Sequence, residues 1–258
     1  MKIINAKAEI LTPDITKREE IDAMYQRIEG AGRTCYKSES YISPESARRF
    51  VTNLIQRGHE AMIEHAYMAV RFTVDRGVSH ELVRHRVASF AQESTRYCNY
   101  SKDKFGNELT FIEPCFWSDD YPSNAWAKMN QWKIEMEHAE KAYMWMIRMG
   151  ASPQEARTVL PNSIKTEVVM TANMREWRHF FRLRAACETG PAHPQMLEVA
   201  VPLFQTCAVN MPELFGDIVI PDDVMEKYGK KPEEIPTGTA KVQDQVPGQI
   251  TMEELINK

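Results

Sequence analysis

Arginine, histidine and hydroxyl side chains are concentrated between residues 84 and 97 of this 258-residue chain. Arg84, His85 and Arg86 follow one another, and residues 94–97 (Ser-Thr-Arg-Tyr) add two hydroxyls and a further arginine. The arginine fork binds phosphate or imide oxygens through paired hydrogen bonds, and hydroxyls with backbone N–H groups can cradle a phosphate. The residue types predict a site for a small anion, with a solvated loop as the alternative for residues 94–97.

Helical periodicity over residues 79–92 predicts a buried position for Arg86. At 100° per residue, Leu82 and Phe90 fall in an apolar arc that also contains Arg86. A buried guanidinium without a partner is costly. Arg86 therefore needs either an anionic ligand or an internal ion pair with a carboxylate such as Glu64.

A second arginine-rich helix is predicted over residues 173–187. Its periodicity places Arg184 between Trp177 and Phe180, in an apolar surround. A solvated or intersubunit face of this helix holds Arg175, Arg178 and Arg182. Arg184 is therefore a second candidate for an anionic ligand, with a buried salt bridge as the alternative.

Residues 59–65 (HEAMIEH) contain histidines and glutamates but do not fit a metal motif. His59 and His65 are six positions apart, which is about 240° around a helix, so they cannot face one ion from one helix. The five cysteines form no C-x-x-C pair. We expect no metal site, and we expect the cysteines to be reduced thiols of a cytoplasmic protein, most of them buried.

Charge and hydropathy exclude several classes of function. The chain has a net charge of −4, and residues 217–258 account for it with nine acidic residues and five lysines. Residues 1–216 therefore carry no net charge. A domain without net positive charge does not favour binding to a bulk polyanion such as nucleic acid. The N-terminus lacks the apolar core of a signal peptide, and no apolar stretch approaches 18 residues, so we expect no membrane partner.

The elements that must position these arginines follow from the hydrophobic pattern. Strands are predicted over residues 2–11, 67–74 and 109–113. Helices are predicted over residues 16–30, 43–58, 79–91, 124–149, 152–161, 163–187 and 195–209. The pattern indicates an α+β fold, a helix-rich single domain with a small mainly antiparallel sheet over residues 1–216. Residues 217–258 read as an acidic, proline-containing C-terminal tail, loosely ordered or partner-dependent, with a short helix over 251–257.

Several segments together resemble the flavin-dependent thymidylate synthases. The signature of that family is R-H-R, seven residues and a serine, and this chain has Arg84-His85-Arg86, seven residues and Ser94. The resemblance extends over roughly residues 30 to 205. It includes Gly58-His59-Glu60, Glu64-His65, Arg157 before Val159-Leu160-Pro161, and Thr171-Ala172-Asn173 before Arg175, His179 and Arg184.

The resemblance implies reductive methylation of dUMP to dTMP by a homotetramer with shared active sites. Methylenetetrahydrofolate would be the one-carbon donor, FAD the hydride carrier and NADPH the reductant. The implied FAD contacts are His59, Ala61, Arg84, His85, Arg86, Gln92, Asn173, Met174, Arg175 and His179. The implied dUMP contacts are Glu81, Leu82, Val83, Arg84, Gln92, Glu93, Ser94, Thr95, Arg96, Arg157 and Arg184.

Arg184 is the catalytic residue that the resemblance implies, against the uracil ring. C5 of uracil is a poor nucleophile, and negative charge on the N3–O4 amide directs electron density towards it. A desolvated arginine stabilises that charge where it develops. Ser94 is interpreted as a binding hydroxyl, because no adjacent base in the sequence would activate it as a nucleophile.

The chain departs from the family pattern at three places. Ala61 replaces a Ser or Thr, so one flavin contact is lost or made by the backbone. Glu81 replaces a Gln, and its carboxylate would repel a phosphate unless protonated or turned away. Residues 190–198 (GPAHPQMLE) differ from the A-Q-x-E sequence that is usual in the family, and this difference concerns the packing of the helix after Arg184. The alternatives are a flavin- or nucleotide-binding relative without methyl transfer, and a nucleic-acid-binding module that uses Arg175, Arg178 and Arg182.

Overall fold

The computed structural model describes residues 1–117 and 124–235. Its strands are β1 (Lys2–Ile4), β2 (Lys7–Thr12), β3 (Tyr67–Asp75), β4 (Ala88–Gln92), β5 (Thr110–Ile112) and β6 (Lys165–Asn173). The predicted strand over 2–11 is thus two strands in different sheets. The predicted strands at 67–74 and 109–113 are confirmed.

The larger sheet is antiparallel and has the order β2-β3-β6-β4. β3 and β6 pair over their whole length, from Tyr67 opposite Asn173 to Asp75 opposite Lys165. β3 is buried on both faces, since Thr73 is buried as well as Phe72, as expected for a central strand. β1 and β5 form a separate parallel pair.

Helices cover this sheet and supply most of the core. They are α1 (Arg18–Thr34), α2 (Ser46–Gln56), α3 (Arg76–Leu82), α4 (Ala125–Arg148), α5 (Pro153–Ala156), α6 (Met174–Arg184), α7 (Pro194–Asn210), α8 (Pro212–Phe215) and α9 (Asp222–Tyr228). Short 3-10 helices include Glu60–His65 and Arg157–Val159. The main core joins α1, α2, α6 and α7 to β3 and β6, and α4 covers a second cluster around Phe111. The predicted helix-rich α+β class is confirmed.

Helix boundaries agree only in part with the sequence pattern. The capping box at Ser152 is present, because the Ser152 N–H and hydroxyl both donate to the Glu155 carboxylate at 2.7 and 2.6 Å. α1 begins later than predicted, because the Thr16 hydroxyl donates to Asp14 at 2.6 Å and holds a turn there. α7, with Pro194 in its first turn, packs into the core, so helix packing after residue 190 is intact.

The predicted helix over 79–91 is wrong. α3 ends at Leu82, a turn follows, and β4 begins at Ala88. Alternate residues of β4 are the more buried ones, and the strand completes the hydrogen bonds of the β6 edge. Pairing with β6 gives the backbone N–H and C=O groups of residues 88–92 hydrogen-bond partners, as a helix would. The spacing of apolar residues in this segment is compatible with both a helix and a strand.

The predicted helix over 163–187 is wrong in its first half. Residues Thr166, Val168, Met170 and Ala172 are buried at every second position of β6. That period of two is typical of a strand. Asn173 then caps α6, since its side chain accepts from the Glu176 N–H at 2.9 Å.

The chain remains packed beyond residue 217, so loose order was a wrong expectation for residues 217–235. Ile218, Ile220 and Ile235 are buried. The Lys230 N–H donates to Gln205 Oε1 of α7 at 2.7 Å. The predicted helix over 251–257 lies outside the described residues.

Within residues 1–117 and 124–235, none of the helices combines the length and apolar character that crossing a membrane requires.

Candidate active site

The Arg84-His85-Arg86 segment lies in the turn between α3 and β4. Arg84 and Arg86 are exposed, whereas His85 between them is buried. The predicted burial of Arg86 was wrong, because it rested on a helix that ends at Leu82. Glu64, named above as one possible ion-pair partner of Arg86, instead accepts from Arg175 at 2.6 Å.

Three predicted ligand arginines have guanidinium groups without a partner among the described residues. The side chains of Arg84, Arg86 and Arg157 are exposed and make no ion pair or hydrogen bond with residues 1–117 or 124–235. An exposed, unpaired guanidinium can accept an anionic ligand without first breaking a protein contact. These three arginines therefore fit the predicted anion contacts.

Arg184 at the end of α6 is half-buried and has two protein partners. Its Nη1 donates to Glu81 Oε2 at 2.9 Å, and its Nε donates to His85 Nε2 at 3.4 Å. His85 Nδ1 lies 3.0 Å from Glu176 Oε1. The salt-bridge alternative for Arg184 is therefore realised, and the bridge joins two of the predicted site segments.

Burial controls the charge on His85. Desolvation lowers the pKa of His85 below its ordinary value, although the Glu176 carboxylate acts in the opposite direction. His85 is thus a neutral imidazole near pH 7. His179 lies beside it, with ring centroids 5.8 Å apart, and is exposed.

Five of the predicted dUMP contacts, residues 92–96, lie at the end of β4 and directly after it, and their environments differ. Gln92 donates to Ser79 Oγ at 2.9 Å, and Glu93 accepts from Tyr100 and Lys165 at 3.0 and 2.9 Å. Burial raises the pKa of the Tyr100 hydroxyl, and the nearby Glu93 carboxylate raises it further. Ser94 is partly exposed and Thr95 is buried, whereas Arg96 is exposed and donates to Gln154 at 3.3 Å.

A groove of ≈ 730 Å³ between α1, α2 and the 3-10 helix Glu60–His65 brings together part of the predicted flavin set. Its lining includes the predicted contacts His59, Ala61 and Arg175, and it also contains Arg33, Arg49 and Arg57. Cavities of about 300–1,000 Å³ hold small ligands and cofactors. Arg33 and Arg175 are paired with Glu29 and Glu64. The side chains of Arg49 and Arg57 make no ion pair or hydrogen bond with residues 1–117 or 124–235, so these two suit an anionic ligand.

The structure also shows which predicted contacts have structural roles. Asn173 caps α6 with its side chain. The side chains of Met174 and Leu82 are completely buried in the core, so a contact of either residue with a ligand would have to come from its backbone. Val83 is exposed.

Arg178 was predicted on a solvated face but is buried. Its guanidinium makes two 2.7 Å contacts with Asp217, donates to Glu60 at 3.0 Å and donates to the Leu214 carbonyl. Arg175 and Arg182 are exposed and partly exposed, as predicted. The nucleic-acid alternative loses support because Arg178 is already bound by carboxylates.

Sequence reasoning missed Glu176 and Arg76. The only indication of Glu176 in the sequence is that it places a carboxylate at the third position of an arginine-rich helix. Arg76, in the first turn of α3, has a buried Nη1 with no partner among the described residues. An anionic ligand would satisfy such an atom.

Solved structures of other proteins share the fold of this chain. A UMP/dUMP methylase from Streptomyces cacaoi bound with 5-Br dUMP matches with a TM-score of 0.64 at 21% identity, covering 89% of this chain and 98% of that chain. The same methylase bound with 5-Br UMP matches with a TM-score of 0.65 at 19% identity. These matches show the fold.

Sequence comparison identifies the family. Residues 20–213 match the family model for thymidylate synthase complementing protein, and the chain belongs to that family. Proteins named flavin-dependent thymidylate synthase from Mycobacterium avium (strain 104) and Mycobacterium tuberculosis (strain ATCC 25618 / H37Rv) are each 30% identical over 83% of this chain and 88% of their own length. The predicted family and the prediction of an enzyme are confirmed.

Proposed function

We propose that this chain catalyses the reductive methylation of dUMP to dTMP, with methylenetetrahydrofolate as one-carbon donor, FAD as hydride carrier and NADPH as reductant. The observation that carries the proposal is the half-buried Arg184 guanidinium, held by His85 and Glu81. The side chains of Arg84 and Arg86, on either side of His85 in the chain, have no partner among the described residues. The names of the relatives and structural neighbours support a flavin and a uridine nucleotide.

Arg184 would stabilise the transition state electrostatically. Two of its five N–H groups are used by His85 and Glu81. The remaining three can donate to the N3–O4 side of uracil, where negative charge develops as C5 becomes nucleophilic. Partial exclusion of water strengthens this interaction, because charges are screened less in a low-dielectric site.

The nucleotide phosphate would be held by arginines whose side chains have no partner within residues 1–117 and 124–235. Arg84 and Arg157 are proposed phosphate or uracil contacts, with Ser94 and Arg96 from the segment after β4 completing the site. Glu81 is engaged by Arg184, so its carboxylate is neutralised and does not repel the phosphate. The remaining proposed dUMP contacts are Leu82, Val83, Gln92, Glu93 and Thr95; the two buried ones, Leu82 and Thr95, would act by shaping the site.

The residues present fit FAD. The groove between α1 and α2 has the volume of a cofactor site. Arg49 and Arg57, whose side chains have no partner among the described residues, are available to a pyrophosphate, whereas Arg33 and Arg175 are also held by Glu29 and Glu64. Bound FAD would supply hydride chemistry to the nucleotide. The other proposed flavin contacts are His59, Ala61, Arg84, His85, Arg86, Gln92, Asn173, Met174 and His179.

We also propose a cytoplasmic homotetramer with shared active sites. Exposed apolar side chains on α4 support a subunit interface: Trp126, Trp145 and the adjoining Met149 are 79, 57 and 65% exposed. The proposed catalytic domain spans residues 1–216, and residues 217–258 form the acidic C-terminal segment.

The test uses purified full-length protein. We expect a yellow protein with a flavin absorption spectrum that forms dTMP from dUMP, methylenetetrahydrofolate and NADPH, measured by liquid chromatography and mass spectrometry. UMP is assayed in parallel, because the structural neighbours are named UMP/dUMP methylases. A colourless protein that binds no added FAD would overturn the proposal, and flavin binding without methylation of either nucleotide would favour the alternative relative. Light scattering tests the tetramer.

A further inference from the structure

A continuous chain of contacts joins Glu176 to Glu81 through His85 and Arg184. Glu176 Oε1 lies 3.0 Å from His85 Nδ1, His85 Nε2 lies 3.4 Å from Arg184 Nε, and Arg184 Nη1 lies 2.9 Å from Glu81 Oε2. The Glu176 end is enclosed, because the side chains of His85 and Glu176 are 2 and 9% exposed. The Arg184 end reaches the proposed substrate site.

Helix α6 builds this arrangement from one of its faces. Glu176, Phe180 and Arg184 are spaced at i, i+4 and i+8, so their side chains lie in one row along the helix. The Phe180 ring lies 5.0 Å from the His85 ring, centroid to centroid, and covers it. Asn173 fixes the start of the helix by capping the Glu176 N–H. The carboxylate, the aromatic wall and the guanidinium are therefore positioned together.

The contacts determine which nitrogen of His85 carries its proton. Arginine Nε is only a donor, so His85 Nε2 has to accept from Arg184. A neutral imidazole with a bare Nε2 carries its hydrogen on Nδ1, and that hydrogen points at the Glu176 carboxylate. The opposite tautomer would place two donors against each other at Nε2 and two acceptors against each other at Nδ1.

We infer that Glu176 is a positioning residue, which holds His85 as the Nδ1–H tautomer so that Nε2 fixes the orientation of the Arg184 guanidinium. This role rests on the proposed function, in which Arg184 faces the uracil. Because Nε and Nη1 are held from two sides, the guanidinium cannot rotate, and its free N–H groups keep one direction. Fixed donors stabilise a developing charge better than donors that must reorient during the reaction.

The same groups offer a competing interpretation, a metal site. Ligand atoms of His85, Glu176 and His179 lie within 4.8 Å of one another. The Arg184 guanidinium is 3.4 Å from His85 Nε2, and its positive charge disfavours a cation at this place. Hydrogen bonding accounts for the arrangement without a metal.

The test compares Glu176→Gln and Glu176→Leu with wild type, and uses Glu188→Gln as the control. Gln keeps the shape and can accept from Nδ1–H, whereas Leu removes the acceptor. Glu188 is exposed and 3.7 Å from Arg182, so its variant controls for loss of a carboxylate near this helix.

The first readout is independent of catalysis. Histidine side-chain 15N spectra, assigned with a His85→Gln variant, are expected to show Nδ1–H in the wild type and a mixture of tautomers in Glu176→Leu. A wild-type spectrum with Nε2–H, or a stoichiometric metal in elemental analysis, would overturn the inference even in an active enzyme.

The second readout is kinetic. With dUMP as substrate, we expect kcat of Glu176→Leu to fall about 10- to 100-fold, the range found when a group that orients a metal-bound histidine is removed. The KM for dUMP and FAD binding should change much less, and Glu176→Gln should recover part of kcat. Equal kcat values in all variants, with wild type active, refute the positioning role. A wild type that makes no dTMP but shows the expected tautomer refutes the proposed function instead.

Discussion

Replacing Arg178 with methionine is expected to destabilise the fold much more than replacing its neighbour Arg182. Arg178 is 1% exposed, and its guanidinium joins α6 to Glu60 and to Asp217. Methionine keeps the apolar part of the side chain but removes every donor. The Glu60 and Asp217 carboxylates then lose their closest partner, and the Leu214 carbonyl loses the donor it has in Arg178.

The expected loss is about 3 kcal/mol in the free energy of unfolding. Removing one partner of a buried ion pair costs about 3–5 kcal/mol, and the lower end applies because Asp217 is 41% exposed and can be hydrated. Arg182 is 34% exposed, and its contacts with Glu60 and Asp217 are 3.9 and 3.4 Å. A pair of that kind contributes about 0–1 kcal/mol, so Arg182→Met is the matched control.

Urea unfolding, followed by circular dichroism at one fixed protein concentration, measures both variants. Arg178 also affects how the free energy of unfolding depends on pH in acid. Burial alone would raise the pKa of Asp217, but the Arg178 guanidinium outweighs burial and lowers that pKa. Stability from this pair is therefore present above the ordinary carboxyl pKa and is lost as the pH falls through the folded pKa. Arg178→Met should flatten this acid dependence. A loss below about 1 kcal/mol, or equal losses in both variants, would refute a buried ion pair here.

Three further changes test separate parts of the structure. Burial raises the pKa of Glu198 from 4.5 to about 7, so ionising it opposes folding; the free energy of unfolding should fall between about pH 4.5 and 7, and Glu198→Gln should flatten that slope in urea titrations. Arg184→Ala should keep its melting temperature and FAD binding but lose about 10²–10³-fold in dTMP formation, and a large melting shift instead would indicate a structural role. Asn173→Ala should lose about 1 kcal/mol of stability with its helix cap, whereas Asn173→Asp keeps the cap, so weaker FAD binding in that variant would reveal a direct cofactor contact.

Residue type located the site more reliably than periodicity. The R-H-R segment and Arg184 do meet, through the contact between His85 and Arg184. The helix assigned to residues 79–91 was wrong because its apolar spacing also suits a strand, and pairing with β6 decided between the two. Because of this error Arg86 was expected to be buried. In the turn that the structure shows, His85 is buried, and Arg84 and Arg86 are exposed.

Residues 163–187 show a different failure. The alternation from Thr166 to Ala172 is visible in the sequence, and the strand could have been recognised from it. The cap at Asn173 was likewise present as a residue type that favours helix starts. The helical pattern after Asn173 was extended backwards across a boundary that these two signals mark.

Partners of the arginines on α6 could not be read from the helix alone. Periodicity placed Arg184 in an apolar surround, and it is half-buried with Glu81 and His85 as its partners. Periodicity placed Arg178 on the opposite side, a solvated or intersubunit face. Arg178 is nevertheless the buried one, because carboxylates from Glu60 and Asp217, 118 and 39 positions away, converge on it. The two arginines of α6 therefore have different roles. Arg178 has all its strong partners inside the protein and holds the fold together, whereas Arg184 has three N–H groups left over, so it is the one that can bind a ligand.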